Sequence, residues 1–144
     1  MQIAFTKLSD ERHSVEVERL DGTTERIELE SRSFLRHDLA HFAIELELPI
    51  KGGYWGSVAS GASLSGEGVT GPEIMLAESL AGPIQTLMRI EADLSAYSAL
   101  LRKVARTSVR PDLPERVHER IRQLRGQWKA TPYREKMKLE WPEW

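Results

Sequence analysis

The sequence predicts an α+β fold: a small three-stranded antiparallel meander packed on a central helix, followed by a C-terminal helical hairpin. Three observations predict it. Short alternating stretches separated by turn residues fill the first 31 positions. Helical apolar spacing occupies 34–48, and spacings of three and four recur from 87 to 128. The 144 residues have the length of one domain, and a hydrophobic content of 40% with 29% charged residues suits a globular chain. The single domain divides into a meander (1–31), the central helix (34–48), a Gly-rich loop (49–72), helices (73–130) and a Trp-containing tail (131–144).

The meander rests on alternation. QIAFTKL alternates in part. In HSVEVERL, Val15 and Val17 oppose Glu16 and Glu18. Asp21-Gly22 is a tight-hairpin signal, and ERIELE then sets Ile27 and Leu29 on one face. A sheet with one apolar face requires a cover. The helix at 34–48, with Ser33 as its expected N-cap, supplies it. Leu35, Leu39, Phe42 and Leu46 form one stripe; Phe34, His37, His41, Ile44 and Leu48 form another, roughly opposite. A helix apolar on two sides lies between layers.

Pro49 ends that helix. Seven glycines follow between 52 and 71. YWGSVASG reads as a short helix and the remainder as a flexible loop. The stretch lacks GxxxxGK[ST], which weighs against a phosphate loop. Residues 73–81 read as helical, and Gly82-Pro83 is expected to break or kink the run. Leu87, Ile90, Leu94, Tyr97, Leu101 and Val104 then form a narrow seam. Asp112-Leu-Pro-Glu115 is a capping box, after which Val117, Ile121, Leu124 and Trp128 continue at 4-3-4 spacing. Two such helices joined by TSVRP predict an αα-hairpin. The tail tryptophans Trp141 and Trp144 are expected to dock on the body or on a second subunit.

HDLAH, residues 37–41, carries the strongest chemical signal. Two histidines four apart share a helix face, the spacing that HExxH uses to grip zinc. Glu45 extends the ladder by one more turn, and Glu78 lies on the next helix. The sequence therefore nominates His37 and His41 as metal ligands, with Glu45 or Glu78 as alternative third ligands and zinc as the expected ion. Asp38 stands where HExxH places its catalytic base. Its side chain is one methylene shorter than glutamate and reaches about 1.5 Å less far, and a general base must come within hydrogen-bond distance. Asp38 is thus read either as the catalytic group or as a carboxylate that orients an imidazole. The structural alternative is a pair of histidines hydrogen-bonded within an interlayer core. His13 and His118 are expected to be solvated or locally hydrogen-bonded.

HDLAHFAIE followed by GGYWGSVASG resembles a block found in small bacterial proteins of unknown function, HDLxHFxVE…GxxGxxAxG. That resemblance spans roughly residues 34–61 and implies no activity. His37, Asp38 and His41 also resemble the zinc pattern HDxxH-x11-E of a ubiquinone-biosynthesis family, whose final glutamate falls on Gly53 here.

Charge and composition bound the remaining classes. The absence of cysteine excludes disulfides, thiolate metal sites and cysteine nucleophiles. No apolar run approaches the ~20 residues of a membrane span, and no secretory signal stands at the N-terminus, so a soluble cytoplasmic protein is expected. Residues 1–98 hold 8 Lys/Arg against 16 Asp/Glu, and residues 99–144 hold 12 against 6. This asymmetry reads as charge pairing within or between chains, or as a basic face for an acidic partner. Arg102, Lys103, Arg106, Arg116, Arg120, Arg122, Arg125 and Lys129 come with no nucleic-acid motif, and a pI of 6.1 weighs against that partner. The seams at 87–104 and 117–128 support a second functional reading, a non-enzymatic module that binds itself or another protein.

Overall fold

The computed structural model describes residues 1–144 and shows the expected α+β class. Its elements are β1 (Gln2–Lys7), β2 (Arg12–Glu18), β3 (Thr24–Glu30), α1 (Ser31–Glu47), α2 (Tyr54–Ala59), α3 (Pro72–Arg89), α4 (Leu94–Thr107), α5 (Leu113–Ala130) and β4 (Lys136–Glu140). The sheet has four antiparallel strands in the order β3-β2-β1-β4. The fourth strand corrects the reading of 131–144 as a docked tail. Met137, Leu139 and Trp141 alternate with Lys136, Lys138 and Glu140, a period of two that marks a strand. It pairs Ile3 with Leu139 and Phe5 with Met137, so β1 is no longer an edge. Trp141 is 2% exposed, whereas Trp144 stays half exposed.

One face of the sheet carries Ile3, Phe5, Val15, Val17 and Met137 into the core. His13 sits on that face as well, opposite Leu29, and is fully buried rather than solvated. Its Nδ1 lies 2.8 Å from Ser31 Oγ, and its ring packs between Phe5 and Trp128. Burial holds its pKa below the usual 6.5, against the opposing charges of Asp38 and Glu30.

Helix α1 crosses this layer and is buried on nearly every side from Asp38 to Glu45. It starts earlier than Ser33 suggested. Glu30 is the N-cap, and its carboxylate accepts from Arg32 N (2.8 Å) and Ser33 N (3.2 Å). Helix α3 lies against α1. Ala40 and Ala43 on α1, and Ala77 and Ala81 on α3, are all fully buried, and such small side chains keep helix faces flat enough for close approach. Pro83 does not break α3, which runs unbroken from Pro72 to Arg89. Burial of Ala77, Leu80, Ala81, Ile84 and Met88 along one stripe outweighs the local cost of proline.

The break falls at Ile90 instead, inside the expected 87–104 seam. Glu91 adopts φ 51°, its N–H bonds Met88 O, and Ala92 N–H bonds Leu87 O. That is a Schellman stop with glutamate in the position glycine usually takes. Ile90 and Leu94 are therefore exposed, while Tyr97 and Leu101 are buried where α4 packs on α5. The α5 seam, Val117, Ile121 and Leu124, is buried within the chain. Asp112 is the N-cap of α5, but its side chain makes no capping hydrogen bond, so the predicted box does not close. No helix is long and apolar enough to cross a membrane.

Candidate metal centre

The middle of α1 brings the two histidine rings to a centroid distance of 4.5 Å. Packing of α3 on α1 adds Glu78. The potential ligand atoms of His37, His41 and Glu78 all lie within 4.8 Å of one another. His41 Nε2 is 3.1 Å from Glu78 Oε1, and His37 Nε2 is 3.8 Å from Glu78 Oε2. Two ligands on one tetrahedral zinc, each ~2.0–2.1 Å from the ion, would be about 3.3 Å apart.

His41 is fully buried, and its orientation is fixed from behind. Its Nδ1 lies 2.8 Å from Glu45 Oε1. Glu45 also accepts from the backbone N–H groups of Tyr54 (2.7 Å) and Trp55 (3.0 Å) at the start of α2. A carboxylate that only accepts places the proton on His41 Nδ1 and leaves the Nε2 lone pair facing Glu78. Nε2 is buried and makes no hydrogen bond. Glu78 Oε1 thus approaches Nε2 to 3.1 Å without the alignment of a hydrogen bond.

His37 repeats the pattern with less burial. Its Nδ1 is 3.4 Å from Asp38 Oδ1, and Nε2 turns toward Glu78. The hydrogen bond to Asp38 raises the His37 pKa; burial opposes this, and the charges of Asp38 and Glu78 add to the rise. Asp38 is almost fully buried, and its Oδ2 has no partner. Its backbone carbonyl accepts from Trp55 Nε1 at 3.0 Å.

The structure thus separates the nominated residues into two ranks. His37, His41 and Glu78 converge. Glu45 stands behind His41, and Asp38 behind His37. Glu45 does not join the cluster, because helical side chains lean toward the N-terminus and carry the Glu45 carboxylate back onto the ring one turn earlier. Gly53 makes room for it, since a Cβ at that position would overlap the Glu45 carboxylate. At the position where the HDxxH-x11-E pattern sets a glutamate, Gly53 therefore leaves space for the Glu45 carboxylate, which the next two N–H groups hold. The sequence reasoning missed this seat, although the paired glycines of GGYW were its visible trace.

Glu78 is 54% exposed and His37 34%, so the centre is closed on the His41 side and open on the other. The opening leads into a cleft of about 800 Å³ between the start of α3 and the loop 65–71. That loop is fastened from its near end. Arg19 donates to Val58 O and Ala62 O, Glu25 accepts from Leu64 N, and Tyr54 Oη donates to Leu64 O. Burial, with the charges of Asp38, Glu25 and Glu45, pushes the Tyr54 hydroxyl far up, so the phenol stays protonated. The chain matches no protein-family model, no curated protein and no solved structure.

Proposed function

We propose that this protein binds one divalent metal ion, zinc by preference, through His37 Nε2, His41 Nε2 and Glu78. The observation that carries the reading is the buried Nε2 of His41. It has no hydrogen-bond partner, while Glu45 holds the opposite nitrogen. A buried polar atom without a partner costs roughly 1–3 kcal/mol, and an ion between Nε2 and Glu78 would remove that cost. A carboxylate behind each imidazole is the usual support for metal-bound histidine, because it fixes the tautomer and raises the basicity of the ligand. Two imidazoles and one carboxylate form a zinc donor set of the catalytic kind, with a fourth position left for water or a ligand. The same set accepts ferrous iron, so the identity of the ion is part of the test.

An ion so held would polarise a ligand oxygen or lower the pKa of its bound water. Asp38 is almost fully buried and does not line the cleft from which water would reach the ion, which supports orientation as its role. Elemental analysis after incubation with zinc or ferrous iron and exhaustive dialysis tests the proposal. One ion per chain is expected in the wild type, and its loss in Glu78→Gln, an exposed position that leaves the fold intact. A wild type that emerges metal-free refutes it.

A further inference from the structure

The cleft over the centre has a chemistry of its own. Beyond His37 and Glu78, its walls are the Tyr54 ring, Val69, Ile74 and Met75, with the hydroxyls of Ser65, Thr70 and Ser79 between them. No lysine or arginine lines it. Sites for phosphate or carboxylate groups are built around such cations, usually as arginine forks. The chain has cations to spend and puts them elsewhere. A separate groove of about 890 Å³ between α1 and α5 is lined by Arg32, Arg36, Arg122, Arg125 and Lys129.

Two glycines, Gly66 and Gly71, stand in the wall contributed by 65–71. Gly66, Gly68 and Gly71 take φ values of 73°, 78° and 119°, which other residues adopt only at a cost. Opposite it, Met75 is 71% exposed at the lip of the cleft, and Leu76 beside it is 41% exposed. A flexible thioether at an opening adapts to apolar groups of varied shape. The charge at the floor sets the other constraint. With Glu78 on the ion and the carboxylates of Asp38 and Glu45 behind the two imidazoles, the acidic groups outnumber the divalent charge, which favours an uncharged oxygen donor over an anion.

We propose that the cleft binds an uncharged small molecule with an apolar chain or ring, which offers one carbonyl or hydroxyl oxygen to the metal. Phosphate esters and dicarboxylates are disfavoured, because no lysine or arginine stands beside the ion to take up their charge. The ligand's polar end sits at His37 and Glu78, and its apolar body runs between Ile74, Val69 and Met75. This rests on the metal reading above.

Octanohydroxamate and acetohydroxamate are the probes, because both present the same metal-binding head and differ only in the chain. Zinc binding by the apo-protein is titrated first, and each hydroxamate is then titrated into the zinc-loaded protein. The long chain is expected to bind tighter by roughly tenfold or more, as burial of several methylenes requires. Met75→Ala is expected to shrink that preference, read as the ratio of the two hydroxamate affinities measured on the zinc-loaded variant. Inorganic phosphate is expected not to compete. Zinc binding with equal affinity for both hydroxamates, or tight binding of phosphate, overturns the ligand class and leaves the metal site standing. Failure to bind zinc at all overturns both.

Discussion

Glu45 exposes no atom, yet it decides how His41 faces the centre. Its carboxylate is gripped by two backbone N–H groups and aims the imidazole by its third contact. Glu45→Gln keeps the shape but presents a weaker acceptor and a competing donor. Zinc affinity should fall by about 10–100-fold, the usual effect of losing a partner of this kind. Gly53→Ala should do the same from the other side, because its methyl would displace the Glu45 carboxylate. Isothermal titration of the two variants checks both. Unchanged affinity in Glu45→Gln would show that the carboxylate serves only the fold. His13 makes a separate prediction. Its folded pKa is lowered by burial below the usual 6.5, so the unfolded chain binds the extra proton. The neutral ring is therefore tolerated above about pH 6.5, and stability is lost as pH falls below that value toward the folded pKa. Urea unfolding between pH 7.5 and 5.5 should show a steeper loss in the wild type than in His13→Phe. Parallel profiles would mean that His13 does not stay neutral inside.

At the scale of single elements, the sequence was readable wherever spacing alone sets the structure. The hairpin at Asp21-Gly22 and the two-sided helix α1 were both legible, and so was the pairing of two histidines on one helix face. Glu78 was legible only as one of two alternatives. Its choice over Glu45 needed the packing of α3 on α1, which no local pattern states. The break at Ile90 was not legible, because Glu91 takes a left-handed conformation without being glycine. Arg125 explains how it is held: it donates to Met88 O at 2.9 Å and to Glu91 Oε1 at 3.1 Å from α5. This yields a prediction whose sign is diagnostic. A left-handed non-glycine residue costs roughly 1–2 kcal/mol, so Glu91→Gly should be neutral to stabilising even after losing an exposed ion pair. A continuous helix through this point would instead make glycine destabilising by about 1 kcal/mol. Thermal unfolding separates the two.

Across the whole molecule, the acidic and basic halves meet. Glu47 at the end of α1 is 2% exposed and accepts from Arg116 Nε (2.7 Å) and Arg120 Nε (2.6 Å), with Arg110 at 3.9 Å. Arg125–Glu91 and Lys136–Glu16 pairs also cross the division. Five of the twelve Lys/Arg of residues 99–144 thus pair with acids of residues 1–98, and the charge asymmetry is answered in part within the chain. Burial works to raise the Glu47 pKa, but the two arginine hydrogen bonds outweigh it and hold the carboxyl below the usual 4.5. Its contribution is present above about pH 4.5 and is lost as pH falls through the lower folded value. Glu47→Gln should cost about 1.5–3 kcal/mol at neutral pH, the range for hydrogen bonds to charged groups, and should cost little near pH 3. A variant equally destabilised at both pH values would show that packing, not charge, holds α1 to α5.

In the proposed centre, His37 and His41, aimed by Asp38 and Glu45, hold one ion together with Glu78. X-ray absorption at the zinc edge of the zinc-loaded protein tests it most directly. Two imidazole nitrogens are expected, with oxygen completing the shell at roughly 2.0–2.1 Å, and a shell reduced to one imidazole in His41→Ala. A shell without imidazole scattering, or one unchanged in His41→Ala, would contradict it.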